Sequence, residues 1–287
     1  THHWIRFCTN KGRVYRAKAY ELQEAGRDAK GQHVANLLAL SGDESVTQVL
    51  YLRDYEQAKY LVLATRSGMV KKSRLSDYDS PRSGGLIAIN LKEEDELISA
   101  QLVGEGDDLM LVSHNGYSVR FTADEGTLRT MGRSTAGVIG MRFKSEDDFL
   151  LSMDVVKDGS FLLTATEGGY AKRTAVEEWN SKGRGTQGVR VMKLVEERGA
   201  LVGAMIVDES DQVFAMASNG VVIRTSVSDI RATSRSTMGV GLMSLADEDV
   251  LVGIARAVER DDDEVEGEEP AEATAEATTE AATEATE

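Results

Sequence analysis

Cysteine occurs once in the 287 residues, at Cys8, and proline only twice. A single thiol can close no intrachain disulfide and build no cysteine zinc site, which fits a reducing, cytoplasmic setting. Two prolines exclude a proline-rich fibre or linker. Long apolar runs are missing as well: none approaches the ~18 residues of a membrane span, and no signal peptide precedes Trp4, so no membrane partner is expected. Catalytic signatures are equally scarce. The sequence contains no P-loop, no Gly-x-Ser-x-Gly and no His-Glu-x-x-His. Its four histidines lie at the terminus (His2, His3) or in separate segments (His33, His114) without a paired nucleophile. The chain opens on Thr1 rather than Met, which leads us to expect a fragment whose N-terminal part lies elsewhere.

The net charge of −15 is unevenly spread. Residues 259–287 carry 13 Asp or Glu against the single Arg260, a net of −12, which leaves −3 for residues 1–258. The acidic segment begins Asp261-Asp262-Asp263-Glu264 and continues rich in Ala, Thr and Glu without an aromatic residue. It has too little apolar surface to offset the entropy of ordering, so a disordered acidic tail is expected beside a nearly neutral body.

What the body does contain is 27 glycines, and five of them mark a repeat: Gly12, Gly68, Gly116, Gly169 and Gly220, spaced 56, 48, 53 and 51 residues apart. Each sits between two β-rich runs, such as Tyr60 to Thr65 and Met69 to Lys72, which is the pattern of a hairpin; Asn115-Gly116 and Asn219-Gly220 suggest type I′ turns. A second hairpin is expected in every unit, from runs such as Val34 to Leu40, Leu86 to Leu91 and Val138 to Phe143, each followed by an acidic turn and another apolar run. Four strands per unit of about 50 residues indicate blades around an axis, since each sheet must pack both faces on its neighbours. The units are 1–57, 58–107, 108–159, 160–211 and 212–258. WD40 and kelch signatures are absent.

A base stands four residues after every turn glycine: Arg16, Lys72, Arg120, Arg173 and Arg224. A second base opens the following loop, Arg27 (with Lys30 beside it), Arg82, Arg133, Arg184 and Arg235, and four of these lie in an Arg-x-x-x-Gly pattern ending at Gly31, Gly137, Gly188 and Gly239. Blades related by rotation carry equivalent positions to one rim, so these bases predict a positive belt suited to phosphate backbones and carrying no base code. The loop Ser181-Lys182-Gly183-Arg184-Gly185-Thr186-Gln187-Gly188 is glycine-rich enough for a phosphate to approach its backbone.

These repeats, the Arg-x-x-x-Gly loops and the acidic tail resemble the C-terminal domains of DNA gyrase A subunits; Gly12 to Leu22 (GRVYRAKAYEL) and Gly31 to Leu38 (GQHVANLL) are close to the actinobacterial type. The resemblance implies an all-β pinwheel, a propeller-like ring of six blades exchanging strands, of which five are counted here. It also implies a double-stranded DNA partner wrapped around the rim and a nucleoid location. The strand-cleaving tyrosine would lie in an absent N-terminal region, and ATPase and Mg²⁺ chemistry elsewhere in an A₂B₂ assembly with the gyrase B subunit, so no cofactor is expected in this chain and it should be inactive alone. The family's box, Gln-(Arg/Lys)-Arg-Gly-Gly-Lys-Gly, is represented only by a degenerate copy, Lys182 to Gly188. The alternatives are the corresponding domain of topoisomerase IV and a propeller scaffold for protein partners. With one blade fewer than the family, the strand from Trp4 to Thr9 is expected to form an exposed edge.

Overall fold

A computed structural model of the chain describes residues 2–26, 29–54, 56–80, 84–246 and 248–257. The acidic segment 259–287, Arg27, Arg82 and Asp247 of the last acidic turn lie outside the described residues.

Each repeat glycine closes its hairpin by donating its N–H to the carbonyl three residues earlier, as Gly12 does to Thr9 at 2.9 Å and Gly220 to Ala217 at 3.0 Å. The glycine alone takes positive φ, from 71° at Gly12 to 87° at Gly220. Among the described residues Glu94 and Glu248 are the only non-glycines in that region, so Asn115 and Asn219 are not. The expected type I′ turns are therefore three-residue loops, a type I turn followed by a left-handed glycine. Side chains from the acidic turn brace this loop. Glu44 accepts from the Thr9 hydroxyl at 2.6 Å and the Tyr15 hydroxyl at 2.9 Å, and Asp148 accepts from the Ser113 hydroxyl at 2.9 Å and the Asn115 N–H at 2.9 Å.

The first unit supplies β1 (Trp4–Thr9), β2 (Arg13–Lys18) and β3 (Val46–Leu52). The second supplies β4 (Tyr60–Thr65), β5 (Met69–Arg74), β6 (Leu86–Ile87) and β7 (Leu97–Val103). The third has β8 (Asp108–Ser113), β9 (Tyr117–Thr122), β10 (Val138–Ile139) and β11 (Leu150–Val155). The fourth has β12 (Phe161–Thr166), β13 (Tyr170–Ala175), β14 (Val189–Arg190) and β15 (Leu201–Val207). The fifth has β16 (Gln212–Ala217), β17 (Val222–Ser226), β18 (Val240–Gly241) and β19 (Leu251–Ala257).

The sheets run β3-β1-β2-β6, β10-β5-β4-β7, β11-β8-β9-β14 and β15-β12-β13-β18, with a three-stranded β17-β16-β19 at the end. The second hairpin of each unit therefore does not close on itself. Its first run shrinks to two residues and pairs with the preceding blade, while its second run pairs with its own unit's hairpin. In the first unit the corresponding segment forms no strand but a 3₁₀ turn, Val34–Asn36. The strand Trp4–Thr9 is not an edge: β2 and β3 flank it on both sides.

Alternation with period two explains the cores. Leu109 and Leu111 face Tyr60, Val62 and Val70 of the second blade, whereas Met110 and Val112 face Leu162, Trp179 and Leu201 of the fourth. Strands β3, β7, β11, β15 and β19 pack in succession along the inner side, so the exchanged strands lie on the outer side. Among the described residues no comparable packing joins β19 back to β3. Cys8 is fully buried between the first two blades.

Candidate nucleic-acid interface

The loop ahead of each exchanged strand belongs to one unit and lies on the blade of the unit before it. Residues 129–137 run along β5, with Lys72 paired in parallel to Thr130 and the Met131 N–H donating to the Lys72 carbonyl at 2.8 Å. Residues 181–188 run along β9, where Lys182 N–H donates to the Arg120 carbonyl at 2.8 Å, and residues 231–239 run along β13 through Thr233 and the Arg173 carbonyl at 2.9 Å. The glycines ending the Arg-x-x-x-Gly motifs of the last three units serve this contact, whereas a Cβ at Gly31 would meet nothing among the described residues. A Cβ at Gly137 or Gly188 would collide with the carbonyl of Val70 or Ser118, and both glycines have positive φ, 81° and 69°.

Successive loops are stitched end to end. The N–H groups of Asn90, Arg142 and Lys193 donate to the carbonyls of Thr135, Thr186 and Thr237 at 3.1, 2.9 and 3.0 Å. Arg184 reaches back into the neighbouring unit, its Nε to the Thr127 carbonyl at 2.7 Å and Nη1 to that of Ile139 at 3.0 Å. Along this path Arg129, Lys182 and Arg231 are exposed and Arg133 and Arg235 half-exposed, Arg235 beside Glu178 at 3.7 Å. Nothing would crowd a Cβ at Gly132 or Gly183, so the loop backbone is open to solvent there. In the first unit Lys30 is exposed.

The bases four residues after the turn glycines are placed otherwise, and this corrects the expected open belt. Lys72 is 1% and Arg173 7% exposed. Lys72 pairs with Glu125 at 3.0 Å and donates to the Ala123 carbonyl at 2.8 Å. Arg120 pairs with Asp108 at 2.8 Å and donates to the carbonyls of Val176 at 2.9 Å and Trp179 at 3.1 Å. Arg173 pairs with Glu209 at 2.8 Å and donates to the Ile230 carbonyl at 2.7 Å, and Arg16 meets Asp79 at 3.0 Å. Three of them also lie over the aromatic ring that opens their own hairpin: Arg16 over Trp4 at 4.3 Å, Lys72 over Tyr60 at 4.6 Å and Arg173 over Phe161 at 4.6 Å. Only Arg224, in the blade without an exchanged strand, is exposed. Four of the five thus tie one blade to the next; Thr130, bonded to Glu125, ties the loop into the same contact.

Two buried lysines went unrecognised in the sequence. Lys71 and Lys172 stand three residues after Gly68 and Gly169, on the face opposite the neighbouring base, and are 0% and 1% exposed. The Lys71 ammonium donates to the carbonyls of Ala88 and Arg133, and that of Lys172 to those of Ser234 at 2.7 Å and Arg235 at 2.8 Å. They clamp the loop backbones from beneath. Their only sequence signal is a charge where the equivalent residues Tyr15, Val119 and Ile223 are apolar or aromatic.

Burial, reinforced by Arg133, pushes Lys71 down from 10.5 to about 7, and burial brings Lys172 to about 8. Between about pH 7 and 10.5 the unfolded chain holds a proton that folded Lys71 has released, so Lys71 makes stability rise with pH across that window. In urea unfolding at about pH 6.5 and about pH 9, the stability of the native chain relative to Lys71→Met is expected to increase at the higher pH. A difference unchanged by pH would show that Lys71 titrates alike in both states.

The five repeats coincide with the segments that match the family described as DNA gyrase C-terminal domain, beta-propeller: residues 4–52, 59–103, 107–157, 160–208 and 211–257. The DNA gyrase A subunit of Streptomyces coelicolor is 58% identical over 275 residues, 93% of this chain and 32% of the relative. That of Mycobacterium tuberculosis is 55% identical over 264 residues, 92% of this chain and 31% of the relative. The chain thus spans about a third of the length of these curated relatives. Among solved structures, the C-terminal domain of DNA topoisomerase IV superposes with a TM-score of 0.80 at 27% identity, covering 89% of this chain and 79% of that one. The DNA gyrase A C-terminal domain gives 0.76 at 26% identity, covering 90% and 83%.

Proposed function

Since the chain belongs to the DNA gyrase C-terminal domain family, we propose that its five-bladed body holds double-stranded DNA along the outer edge, bending it for a gyrase A subunit. The observation that carries this reading is the end-to-end stitching of loops 129–137, 181–188 and 231–239, which lines up Arg129, Arg133, Lys182, Arg231 and Arg235 on exchanged segments of successive blades. Guanidinium and ammonium groups beside open glycine and serine backbone contact phosphates without reading bases. Arg16, Lys72, Arg120, Arg173 and Arg184 support this surface from within, holding the blades and loops in phase. The curved path of rigid supports makes bending the natural result of following it.

In the whole protein this module would deliver the bent segment to a cleavage region outside this chain, giving negative supercoiling driven by ATP at the gyrase B subunit in an A₂B₂ complex on the nucleoid. Among the described residues no group of three or more His, Cys, Asp or Glu is placed to hold a metal ion, so no step here is assigned to Mg²⁺. The gyrase reading is preferred over topoisomerase IV because the high-identity relatives are gyrase A subunits. A protein-docking scaffold is disfavoured because the exposed aromatics Tyr20 and Tyr51 are confined to the first unit and do not recur in phase.

A salt titration of duplex binding tests the proposal. Five or more phosphates neutralised give a log–log slope of about −4.5 or steeper, and unrelated sequences should bind within about threefold of one another. A slope near −1, or strong sequence preference, would refute backbone tracking by these loops.

A further inference from the structure

Lys71 and Lys172 lie under the same local sequence. Above Lys71 runs Arg133-Ser134-Thr135-Ala136-Gly137, and above Lys172 runs Arg235-Ser236-Thr237-Met238-Gly239. Each Arg-Ser pair forms the centre of a turn. The Thr135 N–H and hydroxyl donate to the Gly132 carbonyl at 3.4 and 3.0 Å, and those of Thr237 donate to the Ser234 carbonyl at 3.3 and 3.0 Å. The ammonium beneath takes the first two carbonyls of the turn, Gly132 and Arg133 in one case, Ser234 and Arg235 in the other.

A trans peptide sets its N–H opposite its C=O, and no peptide bond among the described residues is cis. Carbonyls drawn inward onto an ammonium therefore turn the following N–H groups outward: those of Arg133 and Ser134 on the second blade, and those of Arg235 and Ser236 on the fourth. Ser134 and Ser236 are exposed, and Arg133 and Arg235 half-exposed. Two successive outward N–H groups, a hydroxyl and a guanidinium on one turn are the donor set of an anion seat. Among the described residues the N–H groups of Arg133, Ser134 and Ser236 have no acceptor.

The remaining N–H shows what such a turn takes. Arg235 N–H donates to the Glu178 carboxylate at 3.0 Å, and Arg235 Nε lies 3.7 Å from the same oxygen, so an anionic oxygen already stands at this turn. Asp77 stands, like Glu178, nine residues after its turn glycine, but among the described residues it accepts from neither N–H of the first turn. The third blade is built differently. Val119 replaces the lysine, and the loop above reads Arg184-Gly185-Thr186. There the Gly185 N–H donates to the Gly140 carbonyl at 2.6 Å, and the Arg184 guanidinium is turned onto the carbonyls of Thr127 and Ile139. On these three blades, lysine below and Arg-Ser-Thr above occur together or not at all.

We propose that the Arg133-Ser134 and Arg235-Ser236 turns are two phosphate seats that anchor duplex DNA on the rim, two blades apart, and that Glu178 occupies the second until a backbone phosphate displaces it. The inference rests on the DNA reading and divides its basic residues into two kinds. Arg133 and Arg235 hold a phosphate oxygen together with backbone N–H groups whose direction is fixed from below. Arg129, Lys182 and Arg231 are exposed side chains that supply charge alone, so each contributes little by itself. Glu178 makes the second seat weaker than the first, because its carboxylate must leave before a phosphate enters.

Anisotropy titrations of a duplex with the 287-residue chain and four single variants test it, with circular dichroism as the folding control. Arg133→Gln is expected to weaken binding about tenfold, and Arg129→Gln, which loses the same charge, under about threefold. Glu178→Gln is expected to tighten binding about fivefold, and Asp77→Asn, which removes the same charge at the equivalent position, under about twofold. In a chain that binds duplex with a steep salt slope, equal losses from the two arginine variants, or equal effects from the two acid variants, would overturn the seats and leave tracking of the rim standing. A native chain that binds no duplex would overturn both.

Discussion

Reversing the charge of Arg129, Arg133, Lys182, Arg231 and Arg235 together, each to Glu, is expected to weaken binding of a duplex at ~0.1 M salt by roughly 100- to 1000-fold. Five fewer phosphate contacts also reduce the salt slope by about 4.5. The same number of reversals at exposed bases paired off this path, among them Lys11, Lys59 and Lys157, should cost under about threefold. Anisotropy titrations with far-ultraviolet circular dichroism as the folding control decide the matter. Equal losses from the two sets would mean that affinity follows overall charge and that the stitched loops are not the contact.

Arg173→Met is expected to lower the unfolding free energy by about 2–4 kcal/mol, through an orphaned Ile230 carbonyl and lost stacking on Phe161. Arg224→Met, at the same phase of the repeat, should change it by under about 0.5 kcal/mol because that side chain is exposed. Urea midpoints compared at constant slope measure both. The opposite order, or equal effects, would show that burial does not divide these equivalent bases into scaffold and surface.

Much of the fold was legible in the chain. Turn glycines at fixed intervals, alternating apolar runs and acidic turns are local features, and local sterics with period-two burial suffice to give five hairpins and their blades. The turn type was less legible, because Asn-Gly suits both a primed turn and a type I turn with a left-handed glycine, and the acidic side chains that brace the latter come from 30 or more residues away. The family resemblance could supply exchange between blades, but not which residues carry it out. Nothing in the first run of a unit's second hairpin says that its two residues pair with the previous unit's hairpin rather than with the run that follows. That choice is made by the preceding blade's open edge, and the corresponding segment of the first unit, Val34–Asn36, forms a 3₁₀ turn instead of a strand.

For the site, the sequence by itself determined that bases recur in phase and that the Arg-x-x-x-Gly loops are equivalent. Only the tertiary structure decided which bases face solvent. Arg173 and Arg224 are indistinguishable by position, yet the fifth unit's loop covers Arg173, while Arg224 is exposed. Likewise Lys71 and Lys172 look like surface lysines until the exchanged loops bring backbone carbonyls over them. A charge in a repeat is sorted into scaffold or surface by what the neighbouring unit places on top of it, because desolvation and carbonyl partners arise only when blades pack together.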